Sequence, residues 1–227
     1  VKPFVIDIET IPTQRDDLAE FLTDDVTAPG QYKKPESIEK WMVEHGEQAK
    51  KELLQKTALN GLYGEIVTFG AVFEGLPSVH QRQADESEHD FLWELNGDLG
   101  AILIGTAVQW IGWNIGGFDL RFLWQRFIIN GIQPKFTIPF DAKPWDKKYL
   151  DLMAYWCGFG KYAKLVDVCR VFGIEHHDDI DGSQVFQAWQ EGRQDDIQTH
   201  CKADILRTAE LHQRMVPDWK TVVGGVK

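Results

Sequence analysis

Hydrophobic and polar positions alternate from Val1 to Ile8, so the chain is expected to open as a strand. The strand stops at Thr10-Ile11-Pro12, because proline cannot donate to a ladder. A polar stretch from Thr13 to Gly61 follows. Its Pro29-Gly30 pair marks a turn, and a helix is expected from Pro35-Glu36-Ser37, with Ile38, Trp41, Met42, Ala49, Leu53 and Leu54 on its inner face. This stretch reads as a helical insertion covering one side of a single domain, residues 1–227, and not as a separate fold. Glu65–Phe73 and Ser78–Arg82 read as strands of a hairpin through Glu74-Gly75-Leu76-Pro77. A helix is expected from Glu88 to Leu99, then a short buried strand over Ala107–Gly112. Past the Gly116-Gly117 turn, Leu120, Leu123, Trp124, Phe127 and Ile128 keep i, i+3, i+4, i+7, i+8 spacing, a helix with one apolar stripe. Beyond Pro144 helices are expected over Tyr149–Trp156, Leu165–Phe172, Val185–Glu191 and Asp195–Met215. Early strands and late helices give an α/β class: a mixed β-sheet flanked by α-helices.

Composition narrows this picture. With 227 residues, 43% hydrophobic and including nine Trp, the chain can bury a substantial core. No apolar run approaches the roughly 20 residues of a membrane span, and the first residues read as a strand, not a signal peptide. Three cysteines without a Cys-x-x-Cys pair argue against a disulfide framework or zinc ribbon and suit a reducing cytoplasm. The net charge of −11 argues against broad, non-specific binding to duplex nucleic acid through a basic face. It leaves room for a cleft that grips a few nucleotides around bound cations. One locally basic stretch stands out: Lys143, Lys147, Lys148, Lys161 and Lys164, which suit substrate phosphates or a plain solvated surface.

Three stations carry candidate chemistry. Asp7 and Glu9 are two apart on the first strand and share a face with Val5, opposite Phe4, Ile6 and Ile8. Two adjacent carboxylates are costly unless a cation neutralises them or one keeps a proton, and hard oxygen ligands suit Mg²⁺ or Mn²⁺. The plain alternative is a strand end with two solvated acids. Asp119 opens the striped helix, where the helix dipole favours any acid. Asn114 and Phe118 lie at the mouth of the same turn, where an amide and a ring can bond and stack on a nucleotide; Phe118 equally suits the core. His200 and Asp204 are i and i+4 on the last helix, beside the apolar stripe Ile197, Cys201, Ile205 and Ala209, at the edge of the core. The His176-His177-Asp178-Asp179 run with Asp181 has the residue types of a metal site, but it reads as a hydrated loop ending in an Asp-Gly turn.

Taken together, Phe4-Val-Ile-Asp-Ile-Glu-Thr10, Ile111-Gly-Trp-Asn-Ile-Gly-Gly-Phe-Asp-Leu120, Asp181-Gly-Ser-Gln-Val185 and the His200–Asp204 pair resemble the DEDD 3′→5′ exonucleases. The closest likeness is to stand-alone forms of the exonuclease domain related to that of family-B DNA polymerases. It spans most of the chain and is weakest from Thr13 to Gly61. The resemblance implies an RNase H-like (DnaQ-like) fold and hydrolysis with two divalent cations, Mg²⁺ or Mn²⁺. By that resemblance Asp7 bridges both ions, Glu9 and Asp204 complete the tighter site, and Asp119 holds the second. The backbone of Ile8 and Thr10 is then expected near the terminal 3′-hydroxyl, with Asn114 and Phe118 on the substrate. One position departs from the pattern: His200 stands where the polymerase-like branch has Tyr, while the slot of the other branch's His is Thr199. An imidazole with a pKa of about 6.5 takes a proton from water far better than a phenol near about 10.

The resulting expectation is an exonuclease releasing nucleoside 5′-monophosphates from the 3′ ends of single-stranded DNA, in the cytoplasm, with replication or repair proteins as possible partners and no membrane. RNA as substrate is the rival within the class. A catalytically silent nucleic-acid-binding module is the rival outside it.

Overall fold

Both edges of the first strand are paired and both of its faces are covered, which makes it the centre of the fold. In this computed structural model, which describes residues 1–143 and 145–216, β1 runs over Lys2–Ile11. It pairs antiparallel with β2, Glu65–Phe73, and parallel with β4, Val108–Gly112. β3, Leu76–Gln81, extends the sheet beyond β2, and β5, Tyr149–Asp151, beyond β4, in the order β3-β2-β1-β4-β5. The hairpin turn between β2 and β3 places Glu74 and Gly75 at φ 52° and 80°, the left-handed pair that matches strand twist.

Side-chain alternation along β1 sorts the two faces. Phe4, Ile6 and Ile8 pack with α3, Glu88–Leu103, and α4, Asp119–Ile129, through residues such as Leu92, Leu95, Leu123 and Phe127. Val5 points the other way, into a cluster with α5, Leu152–Cys157, α6, Leu165–Phe172, and α8, Gln194–Met215. α7, Val185–Gln190, packs on Ile11, Val67 and Ile197 near the C-terminal end of β1. A buried ion pair ties the first layer: Arg126 grips Glu88 through Nε–Oε1 and Nη2–Oε2 at 3.0 and 2.6 Å, and Glu88 also accepts from the Ile66 amide at 2.8 Å. Both ions are buried, so removing either leaves the other uncompensated.

The insertion departs from expectation. Its long helix, α2, Pro35–Lys56, is present from the anticipated proline, but α1, Asp16–Asp24, occupies a stretch read as loop. No residue of α1 is buried. A 3₁₀ turn, Thr57–Leu59, fastens the insertion to the end of β1: Thr57 Oγ1 accepts from Thr13 N at 3.0 Å, and Ala58 O from the Thr10 hydroxyl at 2.7 Å. The first strand runs three residues past Ile8, up to Pro12. The expected helix over Tyr149–Trp156 divides, because its first three residues add β5 to the sheet and only Leu152 onward is helical. Pro144, taken as the start of the helical half, lies outside the described residues.

Candidate active site

Asp7 and Glu9 point toward the face of β1 that carries α8. The approach of that helix depends on Gly70, paired with Asp7 in the neighbouring strand. A Cβ there would lie 2.7 Å from Cys201 Sγ and 2.9 Å from Ile205 Cγ2, so only glycine lets α8 come this close. Ile197, Cys201 and Ile205 are fully buried. His200 is buried one residue away from them, with Asp204 partly exposed beyond it, as the helical offset predicts.

Asp119 reaches the same place from α4. Its Oδ1 accepts from the Ile8 amide at 3.3 Å, joining the helix start to β1 between Asp7 and Glu9. The turn before it is held by Asp151, whose oxygens accept from Asn114 N and Gly116 N at 3.1 and 3.2 Å while capping α5 at Ala154 N. Asn114 has φ 63°, a left-handed conformation that asparagine tolerates better than most side chains. Phe118 is half-buried and leans on Phe122 at a centroid distance of 5.2 Å. The Thr10 hydroxyl is committed to Ala58, so what Thr10 offers a ligand is backbone.

The structure therefore brings Asp7, Glu9, Asp119 and Asp204 together at the end of β1, beside His200. Asp7, Glu9 and Cys201 present ligand atoms within 4.8 Å of one another, as do Asp178, His200 and Asp204. His200 Nε2 lies 3.6 Å from Glu9 Oε1 and 4.0 Å from Asp204 Oδ2. Burial, reinforced by Glu9, Asp119 and Asp204, raises the Asp7 carboxyl well above the usual range. Burial also lifts Glu9 to about 8, against the opposing charge of His200 and with help from Asp204, Asp119 and Asp178. Asp119 rises to about 7, again chiefly through burial, although its own and Ile8's backbone amides favour the anion. Cys201 is driven up by burial and by these acids, so its thiol keeps its proton.

Asp178 and Arg207 complete the cluster; Asp178 belongs to the run set aside in the sequence as a hydrated loop, and Arg207 had no sequence signal. Asp178 Oδ2 lies 2.6 Å from His200 Nδ1. Arg207 donates to Asp178 Oδ1 and Oδ2 at 2.7 and 2.9 Å, to Asp204 Oδ1 at 2.6 Å, and to the His176 carbonyl. Burial works to raise Asp178, but Arg207 and His200 outweigh it and hold the carboxyl below its usual value. An ionised carboxylate only accepts, so the imidazole carries a proton on Nδ1 and turns Nε2 toward Glu9 and Asp204. Burial lowers His200, yet Glu9, Asp204 and Asp178 together raise it above the ordinary value. The local pattern around Asp178 is that of a hydrated loop; its partners lie 22 and 29 residues away and no helical or strand period links them. Thr199, one residue before His200, is exposed and bonds back to Asp195 O.

These donors fit hard divalent cations. They are carboxylate oxygens from three segments, crowded out of water so that each disfavours its neighbour's charge, which added positive charge relieves.

Residues 84–217 match the model of a family described as "Predicted 3'-5' exonuclease related to the exonuclease domain of PolB". Asp119, His200 and Asp204 fall inside that match; Asp7 and Glu9 lie outside it and reach it through the fold. No curated protein matches the chain. Among solved structures, the family B DNA polymerase from the hyperthermophilic archaeon Pyrobaculum calidifontis superposes with a TM-score of 0.53 at 15% identity, over 96% of this chain and 25% of the polymerase. E. coli Exonuclease I in complex with a dT13 oligonucleotide gives 0.46 at 12% identity, over 98% of this chain and 43% of that one. The chain thus spans about a quarter of the polymerase, and the sheet with its flanking helices is RNase H-like.

Proposed function

The chain belongs to the 3′→5′ exonucleases related to the exonuclease domain of PolB, and on that premise we propose that it shortens single-stranded DNA from the 3′ end with two bound cations, Mg²⁺ or Mn²⁺. The observation that carries this reading is the meeting of Asp7, Glu9, Asp119 and Asp204 beside His200. Asp7 would serve both cations, Glu9 and Asp204 the first and Asp119 the second. Bound there, a pair of cations stabilises both the attacking and the leaving oxygen of an in-line displacement at phosphorus. The chain's own residues supply the rest. His200 Nε2 faces the acids and takes a proton from the attacking water, while the carboxylate of Asp178 fixes its ring through Nδ1. Arg207 holds Asp178 and leaves Asp204 Oδ2 free for a ligand. The left-handed turn at Asn114 and the half-buried ring of Phe118 border the place of the terminal nucleotide, with the Ile8–Thr10 backbone beneath it.

The product is a nucleoside 5′-monophosphate. Replication or repair is the setting such trimming suits. Cys169 and Cys201, buried and free, accord with a reducing cytoplasm, and no helix among the described residues is long and apolar enough to cross a membrane. The test is a 5′-labelled oligonucleotide, as DNA and as RNA, incubated with Mg²⁺, Mn²⁺ or EDTA. Stepwise 3′ shortening of the DNA with either metal and none in EDTA, abolished in Asp7→Asn, is the expected result. Faster loss of the RNA makes the enzyme an exoribonuclease, and binding without shortening makes it a silent module.

A further inference from the structure

The segment joining α5 to α6, Gly158-Phe-Gly-Lys-Tyr-Ala-Lys164, takes no part in the chemistry above, yet it presents aromatic rings to water. Phe159 is 80% exposed and Tyr162 73%, and Tyr155 and Trp156 at the end of α5 are exposed as well. Large rings clustered in the open mark a binding surface more often than an accident of packing. Gly158 and Gly160 have φ of 88° and 74°, a left-handed backbone on both sides of Phe159 that turns its ring outward. Lys161 and Lys164 flank Tyr162, both exposed, and neither is in an ion pair among the described residues. In a chain of net charge −11 this is a local island of positive charge.

The loop lies at the rim of the acid cluster. Trp113 Nε1 donates to Ala163 O at 2.9 Å, and Trp113 immediately precedes Asn114, whose turn opens α4 at Asp119. On its other side Lys164 shares a neighbour with the site: Asp181, held low first by Ser183, also feels both His200 and Lys164. Alternating rings and cations suit a polymer that alternates flat bases with phosphates. A purely apolar protein partner would gain nothing from the lysines, whereas every base has a face to stack and every linkage a charge.

We propose that residues 158–164 form a landing platform for single-stranded DNA upstream of the 3′-terminal nucleotide, with bases stacking on Phe159 and Tyr162 and phosphates meeting Lys161 and Lys164. This rests on the exonuclease reading of the neighbouring acids. The test compares a twelve-residue oligothymidylate with thymidine 5′-(p-nitrophenyl phosphate), a minimal substrate with no upstream strand. The Phe159→Ala/Tyr162→Ala pair raises KM for the oligonucleotide about tenfold or more, while turnover of the minimal ester stays within about twofold. Lys161→Glu/Lys164→Glu weakens binding and reduces the steepness of the fall of log affinity with log salt by about 1.4, two single-strand phosphates at about 0.7 each. An unchanged KM for the oligonucleotide overturns the platform. So does an equal loss on both substrates, which traces the effect to the fold or the acids. If the wild type cleaves neither substrate, the exonuclease reading fails by itself. The platform then stands or falls on fluorescence anisotropy of the labelled oligonucleotide, where lost binding in the same variants supports it and retained binding overturns it.

Discussion

By the resemblance, His200 stands where the polymerase-like exonucleases have tyrosine, and Asp178 gives a histidine at that position a partner. A carboxylate 2.6 Å from Nδ1 needs a ring donor at that point, which a phenol lacks, while Nε2 stays turned toward Glu9 and Asp204. His200→Ala is expected to lower kcat by about 10² to 10⁴-fold, the usual contribution of a positioned base, with Mn²⁺ binding by calorimetry preserved. Near-full turnover in that variant removes His200 from the mechanism. Asp178 acts one step back, as a positioning residue. Asp178→Ala is expected to cost about ten- to a hundredfold in kcat with KM for DNA little changed, and Asp178→Asn less, because its amide oxygen still accepts from Nδ1–H. Nitrogen NMR of the metal-free protein, at a pH high enough to leave the ring neutral, gives an independent reading: the ring proton of His200 resides on Nδ1 in the wild type and loses that preference in Asp178→Ala. An unaltered ring spectrum in the alanine variant would contradict the assignment.

At the scale of elements, the site exists because a strand, a helix start and a helix middle meet, and the last meeting is limited by one glycine. Gly70→Ala puts a methyl against Cys201 and Ile205, pushing α8, with His200 and Asp204, away from β1. A loss of about 1–3 kcal/mol in urea unfolding is expected, together with a fall in kcat. The matched control is Gly97→Ala, in α3 with open space around the added carbon, which should be neutral or slightly stabilising. Equal behaviour of the two variants would mean that α8 tolerates the displacement. The elements legible in the sequence are those whose pattern is long and one-sided. The alternation of Phe4, Ile6 and Ile8 against Val5 and Asp7 gave the faces of β1, and the stripe from Leu120 to Phe127 gave α4. The turn signal gave the hairpin, although Leu76 and Pro77, read as turn, belong to β3, and the offset of His200 from the Ile197–Cys201–Ile205 stripe gave its place at the core edge. What stayed hidden was non-local or too short. β5 has three residues and is defined by pairing with β4, α1 buries none of its residues, and Asp178 gains its role only when the loop folds back onto α8.

Across the whole molecule, an acidic chain has gathered acids out of water at one point, and this ties stability to pH and metal together. The folded values of Asp7, Glu9 and Asp119 all lie above those of an unfolded carboxylate, with Glu9 at about 8 and Asp119 at about 7. Without cations, the folded chain therefore holds protons that the unfolded chain gives up above about pH 4. Binding more protons when folded makes stability fall as pH rises, through the window from about pH 4 to at least about pH 8. His200, also raised, acts with the same sign, since its charged form is favoured by the fold and is lost as pH climbs. Asp178, held low, works oppositely but only in acid, where its carboxylate takes up a proton. Melting in EDTA should accordingly drop by about 5 °C or more between pH 5 and pH 8.5. Mn²⁺ competes with those protons for the same oxygens, so its stabilisation should be small at pH 5 and large at pH 8.5. Asp119→Asn, which removes one buried charge, should flatten the slope in EDTA and shrink the gain from metal. A melting temperature that is flat or rising over this range in EDTA would show that these carboxylates do not titrate as a crowded, buried set.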